Sequence, residues 1–309
     1  MYMTDKVAIL LAAYNGETYI REQIDSLLRQ SYSEWALFIH DDGSVDRTPE
    51  IIRDYERTYP DRIHVLPGEP CGGAKENFFY LLRQVAAPYV MFCDQDDVWL
   101  PEKIEETLSQ MKTLEAQSGA EIPALVFSDL SVVDENLNLI ADRMSVYQKL
   151  DPDRVRPENL MIQNVITGCT VMVNRALVEL ALKVGNTDNV VMHDWWCALV
   201  AACLGKTAFI DKPLILYRQH GKNSIGAKKY NFVLHISALF NSKEVQKAMR
   251  KKRQQDKEFL NTYTFASASL FEKFIEMENR NRVSKVCFFF RYKIWMSGWQ
   301  RNLGLLIWG

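Results

Sequence analysis

The sequence predicts an α/β protein: a mostly parallel sheet with helices on both faces, then a basic helical region at the C-terminus. Three observations carry that prediction. Short apolar runs alternate with segments of helical period over the first two thirds of the chain, the pattern of strands joined by right-handed crossovers. Polar clusters follow the apolar runs at the same end, at Tyr14-Asn15, Asp41-Asp42 and Asp94–Asp97. Charge divides the chain: residues 1–227 hold 21 Lys and Arg against 33 Asp and Glu, a net of −12, and residues 228–309 hold 16 against 6, a net of +10.

The elements follow in order. Val7–Ala12 is a continuous apolar run, long enough for a strand buried on both faces. Ala13-Tyr14-Asn15-Gly16 turns into a helix from Tyr19 to Gln30, with Ile20, Ile24, Leu27 and Leu28 on one face. A second strand, Trp35–His40, runs into Asp41–Asp46, and Thr48 as N-cap with Pro49 behind it opens a helix to Tyr59. Ile63–Leu66 is a short third strand. Gly72–Asn77 leads into a helix through Val85, and Tyr89–Cys93 is the fourth strand. Leu100-Pro101 starts a helix to Ser118.

Beyond it the pattern becomes α+β. Ala124–Leu130 reads as a strand, Asp134–Asn138 as a turn, and 141–157 as irregular. Gly168–Val173 is a strand followed by a helix to Lys183. Gly185–Asn189 is a loop, and His193-Asp194 opens an apolar helix to Leu204. Thr207–Ile210 and Leu214–Tyr217 are two short strands, the second leading to His220 and a flexible loop, Gly221-Lys222-Asn223. From Lys228 onward the chain reads as helical. There is no internal repeat and no low-complexity segment.

With 48% hydrophobic and 25% charged residues the composition is that of a globular protein, so disorder is excluded as the default. The six cysteines form no CxxC pair, and several lie in apolar runs. With no signal-like start, reduced thiols in a cytoplasmic protein are expected. No apolar run approaches the roughly 18 residues of a spanning helix. Two domains are expected, at 1–227 and 228–309. In the second, Arg250–Arg253 is a dense positive run. Arg282–Gly309 carries five Lys or Arg, no acid, and Phe288, Phe289, Phe290, Tyr292, Trp295, Trp299 and Trp308. Basic residues mixed with Trp and Phe suit contact with an anionic membrane surface, or a helix packed on the body. Nucleic acid is not expected, because no recognised module accompanies the basic run.

The stretch Met91–Trp99 carries the chemistry: an apolar strand breaks into Asp94, Asp96 and Asp97. Hard divalent cations take oxygen ligands, and Mg2+ commonly uses one or two carboxylates plus substrate phosphates. The bland alternative is a loop whose aspartates cap the next helix. Three polar clusters at the carboxyl ends of parallel strands converge on the edge where open sheets bind ligands.

The runs Ala12–Glu17, Asp41–Asp46, Asp94–Asp97 and His193-Asp194 resemble, in order and spacing over residues 5–222, the family 2 glycosyltransferases of the GT-A fold. Cys93–Trp99, His193-Asp194-Trp195 and Tyr217–His220 look most like bacterial rhamnosyltransferases of cell-wall rhamnan, capsule or O-antigen assembly. The resemblance implies a donor site in which Ala13 and Tyr14 line the nucleotide base pocket, with Asn15 and Glu17 in the same block. Asp42 would accept the pyrimidine N3–H; its alternative is a turn aspartate bonding its own backbone. Lys75 and Asn77 would approach the diphosphate or ribose. Asp96 would face the ribose and donor sugar. Asp97 would be the direct ligand of Mg2+ or Mn2+, with Asp96 and His220 completing its shell and Asp94 in support.

Asp194 would be the base of a single inverting displacement, removing the acceptor hydroxyl proton as the oxygen attacks the anomeric carbon. An ordinary helix cap is its alternative role. His193 stands where the family often has Glu, to tune the base or to pack. Trp195 would be a platform for the acceptor sugar, or core. The implied donor is dTDP-L-rhamnose, with a UDP-hexose as alternative. The implied acceptor is a lipid-linked saccharide met by a cytoplasmic enzyme peripheral to the inner face of the membrane. From another class, Asp94–Val98 also fits the D-x-D-x-[TV] pattern of haloacid-dehalogenase phosphatases, with Asp94 as nucleophile. That motif usually ends a first strand rather than a fourth, and it leaves Asp42 and Asp194 unexplained. A nucleotidyltransferase lacks its Gly-rich loop here, and a binding protein that has lost the chemistry is the remaining class.

Overall fold

A computed structural model describes residues 2–221 and 242–308. Strands β1 (Tyr2–Met3), β2 (Val7–Ala13), β3 (Trp35–Asp41), β4 (Ile63–Val65), β5 (Val85–Ala86), β6 (Tyr89–Cys93) and β7 (Val98–Trp99) fall in the first third, with helices α1 (Ile20–Leu28), α2 (Thr48–Thr58) and α3 (Ala74–Gln84) between them. Next come α4 (Lys103–Ser118), β8 (Ala124–Val133), β9 (Leu139–Ala141), α5 (Met144–Gln148), α6 (Pro157–Leu160), β10 (Val171–Asn174), α7 (Arg175–Ala181), α8 (His193–Leu204) and β11 (Lys206–Arg218). The C-terminal region holds α9 (Ser242–Thr262), α10 (Ala268–Glu276), α11 (Arg282–Tyr292) and α12 (Trp299–Trp308).

The main sheet runs β4-β3-β2-β6-β10-β8-β11-β7, with β9 on β8. Its first four strands are parallel. β10 is antiparallel to both neighbours, β8 and β11 are parallel, and β7 returns antiparallel. The parallel half is apolar throughout, because crossover helices cover both faces: every residue of β2 except Ala12 is buried. One apolar cluster lies under α3, α8 and the C-terminal helices, and another under α1, α2 and α4.

Several expected boundaries shift for identifiable reasons. Thr48 is not a cap but lies inside α2. Asp46 Oδ1 accepts its N–H at 2.9 Å and its hydroxyl at 2.6 Å, and Thr48 Oγ1 accepts the N–H of Gly16 at 2.7 Å. α4 begins at Lys103, two residues after Pro101. Gly168–Thr170 forms a 3-10 turn ahead of β10 rather than its first residues. The two strands expected at 207–210 and 214–217 are one strand, β11, with register shifts on either side of Pro213, where the missing N–H interrupts the ladder. The irregular stretch contains α5, and β7 is too short to show as a periodic pattern.

Residues 228–241, the start of the expected basic region, and Lys222 and Asn223 of the expected loop lie outside the described residues. The rest of the region is helical and packs on α8. Trp196 sits against Phe259 at 5.2 Å and Tyr263 at 5.9 Å, and the Tyr263 hydroxyl donates to the Leu180 carbonyl at 2.6 Å. Phe259, Phe271, Phe274 and Phe289 are fully buried in the same apolar cluster as Phe38 and Phe92. Among the described residues no helix is long and apolar enough to cross a membrane.

Candidate active site

The loops after β2, β3 and β6 meet at one edge of the sheet and are tied by side chain to backbone bonds. Gln95 Oε1 accepts the N–H of Tyr14 and Gln95 Nε2 donates to its carbonyl, both at 2.8 Å. A Cβ on Gly16 would meet the Gln95 amide, so a side chain there would displace Gln95 from Tyr14. The N–H of Asn15 donates to Ser44 Oγ and Asn15 Oδ1 accepts from Val45. Glu17 accepts the N–H of Arg47, and its own N–H donates to Asp46. Asn15 and Glu17 thus fasten two strand tips together. Ala13 is buried at the end of β2, and the Tyr14 ring is exposed at the rim.

Asp42 lies across from them. Its Oδ1 accepts the N–H groups of Cys71 and of Gly72 (3.0 Å), and Oδ2 accepts that of Gly73 at 2.7 Å. The aspartate therefore organises the turn ahead of α3, not its own Asp-Gly backbone. Gly72 and Gly73 both adopt positive φ, which allows three successive amides to converge on it. Two expected donor residues point elsewhere. Asn77 is 1% exposed and spends its amide on His40, at 2.9 Å to Nδ1 and 3.1 Å to the carbonyl. Lys75 Nζ donates to the carbonyls of Thr187 at 2.6 Å and Val190 at 3.1 Å.

The carboxylates after β6 separate by depth. Asp97 is 0% exposed; its Oδ1 accepts the N–H of Arg218 at 3.1 Å, and Cys169 stands against the carboxylate. Burial first, then Asp96 and Asp94, hold its carboxyl well above the usual range. Asp94 is pushed up to about 7 by burial, then by Asp96 and Asp194. Donor atoms of Asp94, Asp97 and Cys169 lie within 4.8 Å of one another. Asp96 stands further out, with its Oδ2 2.8 Å from His220 Nε2. Behind this pair the buried Arg218 donates Nε–H to the Asp96 carbonyl at 2.9 Å, pairs with Glu22, and stacks on Tyr19 at 4.6 Å. The Tyr19 ring lies 4.7 Å from His220. Buried Lys103 sits over Trp99 at 4.2 Å, its ammonium lowered to about 8 by burial against the pull of Cys169, Cys93 and Asp97.

These groups fit a hard divalent cation. Donor atoms of Asp94 and Asp97 lie together at the end of β6, carboxylates of the kind that Mg2+ commonly takes, and Asp96 stands with His220 further out. Burial, then the repulsion among these aspartates, raises both carboxyls, and a cation bound there would relieve that repulsion.

Asp194 enters from α8. It is 9% exposed and accepts the N–H of Trp195 at 2.6 Å. Burial pushes its carboxyl up to about 7 against backbone hydrogen bonds, Trp195 and Gly168 among them. A Cβ on Gly168 would stand 3.2 Å from His193 Nε2 and in ordinary contact with Asp194, so Gly168 lies directly against this pair. Asp194 also raises Asp94, which joins the two halves of the site electrostatically. His193 packs: its ring lies 4.0 Å from Phe78 and 4.7 Å from Phe92, and burial lowers its imidazole to about 3. Trp195 is 8% exposed and donates its indole N–H to the Leu160 carbonyl at 2.6 Å. The expectation of an acceptor platform there gives way to packing.

The structure thus gathers Asp94, Asp96, Asp97, His220 and Asp194, with Ala13, Tyr14 and Asp42 on the adjoining strand ends. It turns Lys75, Asn77 and Trp195 to other contacts. Gln95, Cys169, Arg218 and Lys103 were not expected as site residues. Arg218 and Gln95 stood inside the motif runs, but their partners are remote in sequence.

A carboxylate cluster at the carboxyl end of β6, with buried Asp194 beside it, occupies the edge where open α/β sheets bind ligands. The profile of glycosyl transferase family 2 matches residues 8–160. The dTDP-rhamnosyl transferase RfbG of Shigella flexneri is 31% identical over 255 residues, covering 77% of this chain and 82% of that protein. The chain belongs to glycosyl transferase family 2 and is a glycosyltransferase. Its fold is shared with S. aureus TarS (TM-score 0.55, 17% identity, 97% of this chain and 80% of that one). It is shared too with the mannosyltransferase PcManGT of Pyrobaculum calidifontis, solved with GDP-Man and Mn2+ (TM-score 0.52, 16% identity, 96% and 78%). The phosphatase reading of Asp94 is left without support.

Proposed function

We propose that this chain transfers L-rhamnose from dTDP-L-rhamnose to a lipid-linked saccharide, with inversion, using Mg2+ or Mn2+. The observation that carries the mechanism is Asp194: a buried carboxylate tuned to about 7 and facing the Asp94–Asp97 cluster. A general base works best with a pKa near the working pH. Asp42, Ala13 and Tyr14 bind the pyrimidine. Asp97, Asp96 and His220 would hold the cation, with Asp94 in support and Arg218 tying the Asp97 carboxylate to the Asp96 backbone. When bound, the cation supplies charge neutralisation to the departing diphosphate. Asp194 takes the acceptor hydroxyl proton as that hydroxyl attacks the anomeric carbon and the bond from that carbon to the diphosphate breaks.

The donor rests on similarity to RfbG, whose name gives a dTDP-rhamnosyl transferase. Membrane contact is supported by α11 and α12, which leave Phe290 60% and Trp299 61% exposed, with exposed Arg291 and Lys293 nearby in sequence. The test is a panel of nucleotide sugars with Mg2+ or Mn2+, scored for hydrolysis and transfer. dTDP-L-rhamnose should turn over fastest and only with a divalent cation. Equal turnover of UDP-hexoses would overturn the donor assignment, and full activity in chelator would overturn the cation site.

A further inference from the structure

We propose that Glu258 and Gln255 of α9 are positioning residues for Asp194: they clamp the segment 185–191 that delivers this base to the donor site. The inference rests on Asp194 being the base. The segment carries little regular structure, one 3-10 turn at Thr187–Asn189, so its backbone donors need partners from elsewhere. α9 supplies them. Glu258 Oε1 accepts the N–H of Gly185 at 3.0 Å and of Asn186 at 2.9 Å, and Oε2 accepts from Asn189 Nδ2 at 2.8 Å. Fully buried Gln255 accepts the N–H of Val191 at 2.8 Å, three residues before Asp194.

The opposite side of the segment is held from α3. Lys75 takes the carbonyls of Thr187 and Val190, and Glu76 accepts the Thr187 hydroxyl at 2.8 Å. Those residues directly follow the turn organised by Asp42. The segment is therefore gripped between the donor side of the sheet and the C-terminal region. The Glu258 carboxylate makes three hydrogen bonds to this segment. A carboxylate removed from water is costly unless its hydrogen bonds are made, so these bonds define where the segment sits. A displacement of about 1 Å by a change remote from the chemistry can cost about 10²-fold in rate.

The test uses the full chain with Glu258→Ala, Glu258→Gln, Gln255→Ala and Asp194→Asn, read by steady-state transfer and by hydrogen exchange over 185–194 against 74–84. Glu258→Ala should lower kcat about 10²-fold with the donor KM within about twofold, and speed exchange over 185–194 alone. Glu258→Gln keeps one oxygen for Gly185 and Asn186 and should recover most of the rate. Gln255→Ala loses a single bond and should lower kcat about 10-fold, keeping the proposal testable if Glu258→Ala does not fold. Unchanged kcat in both Glu258→Ala and Gln255→Ala, or equal rises of kcat loss and KM, would overturn the positioning role while an inactive Asp194→Asn upholds the base. An active Asp194→Asn would overturn the base, and this proposal with it.

Discussion

At the scale of the residue, Asp194, Asp94 and Asp97 show how burial raises ordinary carboxylates. Asp194 must be ionised to accept a proton, and its pKa stands at about 7. The acid limb of kcat/KM is therefore expected near pH 7, with transfer lost as pH falls through it. A limb at the ordinary carboxylate value near 4 would show that Asp194 is not the group titrating. The same shift has a stability sign. The folded state keeps a proton that the unfolded chain releases near pH 4, so stability declines as pH rises from there to about 7. Asp194→Asn removes that term, and its Tm relative to the parent should be higher at pH 8 than at pH 5; the reverse order would contradict a raised pKa. The acids themselves were legible in the sequence as clusters at strand ends. The commitments of Lys75, Asn77 and Trp195 were not, because they depend on carbonyls and rings up to 115 residues away.

At the scale of the element, the parallel half of the sheet was readable because continuous apolar runs ending in polar turns have few other solutions. The second half was less so. β10 is four residues long and antiparallel, and its direction follows from tertiary pairing with β6 and β8 rather than from its own pattern. Asn174 closes that strand and shows what holds the joint together. Its Oδ1 accepts the N–H groups of Leu177 and Ala124, and its Nδ2 donates to the carbonyls of Ala120 and Ile122 and to Glu115. One buried side chain caps α7 and fixes the entry to β8. Asn174→Ala should destabilise the fold by about 2–4 kcal/mol, from a lost cap plus stranded buried donors and acceptors. Chemical denaturation measures it, and a loss under about 0.5 kcal/mol would show that water or a local shift replaces the network.

At the scale of the molecule, charge asymmetry sets residues 228–309 apart in the sequence but does not tell how they divide between core and surface. Of the run Arg250–Arg253, Arg253 is buried, 5.2 Å over Phe274, and Lys252 reaches Trp195 at 5.9 Å. Phe288 and Phe289 pack inward. Amphipathic residues at helical spacing serve body and surface alike, and only packing assigns them. What remains for a membrane is a smaller set around Phe290, Trp299 and Leu303. Replacing Trp299 and Leu303 together by Ser should weaken binding to phosphatidylglycerol vesicles by about 10-fold, from lost apolar burial, with wild-type binding falling as salt rises. Unchanged vesicle partition would place the contact elsewhere.

The proposed division of labour within the site, donor held by Asp42 and the Asp94–Asp97 cluster and proton taken by Asp194, is tested most directly in one variant. Asp194→Asn should be assayed for sugar transfer in a single turnover and, on the same preparation, for Mn2+-dependent binding of dTDP. Transfer should fall by at least about 10²-fold while nucleotide affinity stays within about twofold of the parent. Transfer within tenfold of the parent would contradict the assignment of the base.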